Sequence, residues 1–203
     1  MQDLDAFLQS PTSGPGLCPS WCDMFKAFAL TPLDTVRVVI VGHDPYTDGR
    51  ATGLAFAVPN GASTKGSINS ISRELLRDTR RRRAAGNELT EWAEQGVLLL
   101  NCALSARPGA KRAFSHGERR WRDFTDRAIE LVDQQRDRKV VFCLWGTKTW
   151  AKASRINPNR HYMLPMAGHP AARANAAVPF AGCAHFSQVN RRLRGQEQQA
   201  IIW

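Results

Sequence analysis

The sequence is poor in cysteine, short of acid, and without any long apolar run. Its five cysteines stand at positions 18, 22, 102, 143 and 183. An odd count, with Cys102 and Cys143 inside apolar segments, argues against a disulfide framework and for reduced, intracellular usage. Only Cys18 and Cys22 lie close together, and one close pair without a second does not give zinc or iron–sulfur spacing. No metal and no cofactor are therefore expected. No uninterrupted apolar stretch approaches the roughly 20 residues that a bilayer requires. The opening MQDLDAF is acidic where a secretory signal would carry an apolar core. The expectation is a protein that is soluble, not secreted and free of the membrane. Acidic residues number 18 against 28 lysines and arginines, which gives 28 − 18 = +10. That balance favours a polyanionic partner, nucleic acid before an anionic membrane surface.

What is present reads as one domain over 1–203, with a short loop-rich segment at 1–20. Apolar, β-branched runs predict strands at Val36–Val41, at VLLLN (97–101), at Val140–Trp145 and near His161–Met166. Between them, helical spacing predicts helices over Trp21–Leu30, from Ile68 to about Arg82, over Glu88–Gln95, from a capping box at Ser115–Glu118, and over about His185–Arg194. Ile71, Leu75 and Leu76 are expected to face inward, as are Trp121, Phe124, Ala128 and Leu131. Arg80–Arg83 fits either a phosphate grip or a solvated helix end. Strands alternating with helices imply α/β architecture, a mostly parallel sheet with helices on both faces.

Three strands then end in residues that do chemistry. Asp44 follows the first, stiffened by Pro45 and followed by Tyr46. Asn101 ends the second, His169 follows the last, and Gly146-Thr147 follows the remaining strand. A parallel sheet puts all these ends on one edge, where ligands of open α/β sheets bind. Each residue also has a plain reading: Asp44 as a turn former, Asn101 as a loop cap, His169 as a surface histidine before proline.

The blocks VVIVGHDPY, GLAF, GVLLLN, SHGERRW-RDFTD, VVFCLWG, GHP, FAGCAHFSQVN and the closing IIW, in this order, resemble the family 1 uracil-DNA glycosylases from about Val36 to Trp203. The resemblance implies a three-layer α/β/α fold around a four-stranded sheet. It implies a monomer without cofactor that flips deoxyuridine out of single- or double-stranded DNA and hydrolyses its N-glycosidic bond, beginning base-excision repair. A cytoplasmic setting follows if the source is bacterial, a nuclear or host-cell one if viral. A proteinaceous inhibitor is a further partner that the resemblance suggests.

Carried over by residue, Asp44 orients or activates the water and His169 donates to the uracil O2 region as a neutral imidazole. The backbone N–H groups of His43 and Asp44 add a cradle for the leaving oxyanion. Phe56 stacks on the base, Asn101 pairs with its N3–H and O4 edge, and Tyr46 excludes the thymine methyl. Ser67, Gly146, Thr147 and Gly168 approach phosphates. Position 43 departs from the pattern, being His where cellular members usually carry Gln. The loop 47–52, TDGRAT, is shorter than the usual one, and prolines are missing before Ser67. After His169-Pro170 the chain reads Ala171-Ala172-Arg173, as in poxvirus-type members, so that Arg173 is expected either to wedge into the gap left by the flipped base or to contact a phosphate. A reading from another class is a DNA-binding accessory protein on the same scaffold. A narrower one is a glycosylase of altered base range, motivated by His43.

Overall fold

In the computed structural model, residues 16–63, 66–82, 86–109, 118–172 and 176–203 are described. Arg173 and the capping box at Ser115–Gly117 lie outside the described residues. Four strands form the sheet: β1 (Val38–Gly42), β2 (Val97–Asn101), β3 (Val141–Leu144) and β4 (Tyr162–Met163). Their order is β2-β1-β3-β4 and every pairing is parallel. β1 is central, and each of its five residues is buried. A strand covered on both faces has no use for polar alternation, which is why VVIVG is apolar throughout.

The helices are α1 (Lys26–Leu30), α2 (Ser67–Thr79), α3 (Thr90–Glu94), α4 (Glu118–Asp133) and α5 (His185–Arg194), with a 3-10 helix over Thr147–Arg155. α2 packs on α5, and α4 packs on the 3-10 helix, so that layers cover both faces of the sheet. No helix among the described residues is long and apolar enough to cross a membrane.

Each of two helix faces leaves exposed one leucine that was expected to face inward. Leu76 is 43% exposed, whereas Ile71 and Leu75 are buried as expected, together with Ile68. Leu131 is 37% exposed, and α4 buries Trp121, Thr125, Ile129 and Val132. Thr125 enters that apolar stripe because its hydroxyl donates to the Cys102 carbonyl at 3.0 Å and accepts from the buried Lys152 Nζ at 2.7 Å. The expected helix over Trp21–Leu30 is split into a 3-10 turn, Trp21–Asp23, and α1. Arg80 ends α2 in the left-handed region (φ 58), and Arg80–Arg82 are exposed.

The register sets the site. Gly42 pairs with Asn101, and a bridge from Trp145 to Ala167 prolongs β3 and β4 by parallel pairing. The ends carrying Asp44, Asn101, Gly146 and His169 are thereby brought level on one edge.

Candidate active site

Backbone bonds tie the turns at this edge together. Cys102 N–H donates to the Gly42 carbonyl at 3.0 Å and Ala103 N–H to the His43 carbonyl at 3.1 Å. Gly146 N–H donates to the Ala167 carbonyl at 2.9 Å, which places the Gly168-His169 turn against β3. Gly168 has no room for a side chain, because a Cβ there would run into the Val178 carbonyl.

Asp44, Tyr46, Phe56 and Asn101 line one small cleft, together with Pro45 and Leu104. Asn101 is 8% exposed. Its Oδ1 lies 2.5 Å from where a Cβ on Gly42 would stand, and Phe56 Cζ lies 3.1 Å from the same point. The bare α-carbon of Gly42 is thus the floor on which the amide and the ring meet. Phe56 takes φ 67, a left-handed conformation that a bulky residue adopts at a cost of about 1–3 kcal/mol. Its ring packs between Trp145, at 5.3 Å between centroids, and His169, at 5.8 Å.

The Tyr46 hydroxyl approaches the Phe56 carbonyl at 3.5 Å, and the Arg50 guanidinium lies 5.0 Å over its ring. Burial raises the Tyr46 phenol above its usual range, against the hydrogen bond to Ser67 and the charge of Arg50. Ser67, the first residue of α2, is buried beside this tyrosine. Gly146 and the exposed Thr147 sit at the mouth of the 3-10 helix, and a Cβ on Gly146 would stand 3.2 Å from His169 Cβ.

His169 Nδ1 accepts the Ala171 N–H at 3.1 Å. That bond needs a lone pair, so the proton of the neutral ring sits on Nε2, which remains a donor. Burial lowers the His169 pKa, more than the facing Asp44 carboxylate raises it, and His43 lowers it further. Asp44 Oδ1 is 2.9 Å from His43 Nδ1. The His43 side chain therefore turns to the carboxylate.

Beneath the cleft lies a relay that the sequence did not reveal. Trp145 Nε1–H donates to His185 Nδ1 at 2.9 Å, and His185 Nε2–H donates to the Pro165 carbonyl at 2.9 Å. Both ring nitrogens are committed, which fixes the neutral form. A strand tryptophan buried at 1% requires an indole acceptor, and that was the available signal. Burial lowers the His185 pKa, outweighing the Pro165 bond and the carboxylates of Glu74 and Asp78.

A pH effect on stability follows. Both histidines titrate below their unfolded value of about 6.5. Between the folded and unfolded values the unfolded chain binds more protons, so stability rises with pH there. Their contribution is complete above about 6.5 and is lost as the pH falls through that value toward the lower folded ones. Urea midpoints at pH 7.5, 6.5 and 5.5 should fall in that order, and less steeply in His185→Gln. An equal slope in the variant would show that His185 does not couple to folding.

A roomier cavity, of about 640 Å³, lies between the end of α2, α5 and residues 200–203. It lies toward the opposite end of the sheet, where Gln95, just before β2, bonds the Ile202 backbone. Its lining includes Arg81, Arg82, Arg191 and Arg194 and neither Asp44 nor His169. All five cysteines are free thiols, and burial pushes Cys183 up to about 12. Among the described residues no group of three or more His, Cys, Asp or Glu is placed to hold a metal ion.

A family model described as "Uracil DNA glycosylase superfamily" matches residues 28–194. A uracil-DNA glycosylase of Yersinia pseudotuberculosis is 43% identical over 193 residues, covering 94% of this chain and 82% of the relative. One of Campylobacter curvus is 43% identical over 181 residues, covering 89% and 76%. The crystal structure of mimivirus uracil-DNA glycosylase superposes with TM-score 0.84 at 22% identity, over 100% of this chain and 79% of that one. A mimivirus variant, Y322L, crystallised in complex with UGI, superposes at 0.85 and 22% identity, over 100% of this chain and 80% of that one.

Proposed function

The chain belongs to the uracil DNA glycosylase superfamily, and from that premise we propose that it is a monofunctional uracil-DNA glycosylase acting as one domain. It hydrolyses the N-glycosidic bond of deoxyuridine in DNA, releases uracil and leaves an abasic site, the first step of base-excision repair. The observation that carries this reading to the residues is the convergence of Asp44, Asn101, Phe56 and His169 around Gly42 and Gly146.

The target base must leave the stack before any side chain can read it. In the cleft its face lies on the Phe56 ring, which Trp145 backs. Asn101 offers both a donor and an acceptor and so matches O4 and N3–H together. As the bond from C1′ to N1 lengthens, the sugar becomes cationic and the base anionic. Asp44 stabilises the sugar and orients the water whose oxygen bonds to C1′, and it accepts the proton that this water gives up. Electrons of the broken bond go to the base, where negative charge gathers on O2. His169 meets it with Nε2–H, the proton left by the bond that Nδ1 accepts from Ala171. The backbone N–H groups of His43 and Asp44 complete the cradle, and the freed uracil anion takes a proton from solvent.

Ser67, Gly146, Thr147 and Gly168 receive phosphates around the flipped nucleotide, and Arg173 fills the gap it leaves. We assign the chain to family 1, with a His-Pro-Ala-Ala-Arg stretch that resembles the one of poxvirus-type members. A proteinaceous inhibitor is a further partner, in keeping with the UGI complex of the mimivirus fold neighbour.

The test is uracil release from single- and double-stranded oligonucleotides, with thymine- and hypoxanthine-containing strands as controls. Release from uracil strands alone is the expected result. Tight binding without release would mean a scaffold kept for holding DNA. Tyr46 supplies the discrimination, since its ring occupies the space next to C5 that a methyl would need. Tyr46→Ala should therefore release thymine at a measurable rate and keep most uracil activity. Complete thymine rejection by that variant would remove Tyr46 from the role.

A further inference from the structure

We propose that His43 is a positioning residue for the water-orienting carboxylate, its Nδ1–H holding Asp44 Oδ1 so that Oδ2 is left for the water. This rests on the glycosylase reading and concerns the position where the chain departs from the family pattern.

The geometry is direct. His43 Nδ1 and Asp44 Oδ1 are 2.9 Å apart, and the two side chains are 11% and 23% exposed. An ionised carboxylate only accepts hydrogen bonds, so the ring nitrogen that faces it carries the proton. The bond survives whether the imidazole is neutral or charged, because Nδ1 is a donor in both forms. The His43 backbone is fixed as well, by the Ala103 N–H on its carbonyl at 3.1 Å. Asp44 and His169 are the titratable groups of the site that face this ring.

The two histidines thus have opposite polarity. His43 presents Nδ1–H to the carboxylate, whereas His169 uses Nδ1 as an acceptor and keeps Nε2–H for the base. Asp44 is held from one side, and the donor to the leaving group stays free on the other. A carboxylate at a loop tip otherwise samples several rotamers, and fixing it in advance moves that cost out of the chemical step. Asparagine carries its amide nitrogen on the same carbon as histidine carries Nδ1, so it can make the same bond. Phenylalanine keeps the ring and loses the donor.

The experiment compares wild type, His43→Asn and His43→Phe in single-turnover and steady-state uracil release, each checked for native circular dichroism. His43→Phe should lose about 10- to 100-fold in kcat with KM within about twofold, the scale of one charge-assisted hydrogen bond made in the reacting complex. His43→Asn should recover to within about fivefold of wild type. Full activity in His43→Phe, or no recovery in His43→Asn, would overturn the assignment. Long-range ¹H–¹⁵N spectra of the histidine rings supply a readout independent of activity. A proton on His43 Nδ1 at pH 7.5 is expected, and a bare Nδ1 there would overturn the bond even if the variants fail to fold. Absence of uracil release by the wild type would instead strike the glycosylase reading, and the spectra would still decide the contact.

Discussion

Asp44→Asn is expected to lower kcat for uracil release by about two to three orders of magnitude while DNA affinity stays within a few-fold. The substitution removes a charge and almost nothing else. Asn Oδ1 can still accept from His43 Nδ1, which lies 2.9 Å from the native oxygen. The cleft keeps its shape, Phe56 and Asn101 keep their places, and the base can still be bound. On the proposed mechanism, what is lost is the negative charge facing a sugar that becomes positive only as the bond breaks. An interaction made in the transition state and not in the ground state appears in kcat rather than in binding. Loss of one preorganised electrostatic partner in a water-excluded site costs on the order of 10²- to 10³-fold. Single-turnover release from a labelled oligonucleotide, with anisotropy binding on the same strand, separates the two quantities. A kcat within tenfold of wild type would show that the carboxylate is not the main stabiliser of the sugar cation. An equal loss in both measurements would show that Asp44 holds DNA rather than the reaction.

How much of this was legible beforehand depended on whether the cause was local. Strand β1 could be read because a strand with neighbours on both sides and helices on both faces is apolar at every residue, and VVIV is. A mostly parallel sheet followed from alternation of elements, and with it the grouping of Asp44, Asn101, Gly146 and His169 at one edge; the four strands pair in parallel throughout. Helix α5 fell on His185–Arg194 as expected, since its apolar positions recur at helical spacing. The faces of α2 and α4 were less legible. An apolar stripe of about 100° admits a leucine at its border, and whether Leu76 or Leu131 is covered depends on the neighbouring layer. Burial of Thr125 depends on Lys152, 27 residues on, and on a strand-end carbonyl, neither of which periodicity can see.

The supports of the site were hidden for the same reason. Glu74 is 2% exposed and accepts the Gly182 and Ala184 N–H groups at 2.8 and 2.9 Å, fixing the turn that leads into α5. It joins elements more than 100 residues apart in sequence, and by composition it reads as one more helical glutamate. The Trp145–His185 bond spans 40 residues. The candidate catalytic residues could be named because the strand ends display them; the residues that steady them could not, because only the folded chain brings them together.

Gly42→Ala should abolish most uracil release from a protein that still folds. Gly42 has no positive φ to explain its choice, so backbone conformation does not require a glycine there. Space does. The added Cβ would stand 2.5 Å from Asn101 Oδ1, 3.1 Å from Phe56 Cζ and 3.2 Å from Ala55 Cβ. The last two contacts can be relieved by a few tenths of an ångström. The first needs about 3.4 − 2.5 = 0.9 Å of movement to reach ordinary contact. Asn101 ends a fully buried strand whose backbone is paired to Gly42 itself, so the amide rather than the strand will move. A displacement of about 1 Å in a positioning group costs roughly 100-fold in rate, whereas overpacking by one methyl costs about 1–3 kcal/mol of stability. Activity should therefore fall much further than the urea midpoint suggests. A double-mutant cycle decides whether the amide is the reason. In an Asn101→Ala background the same Gly42→Ala change should cost only a few-fold, because the group it displaces is already gone. If the two losses simply add, the methyl acts through Phe56 or the β1 backbone, and Asn101 is not what Gly42 makes room for.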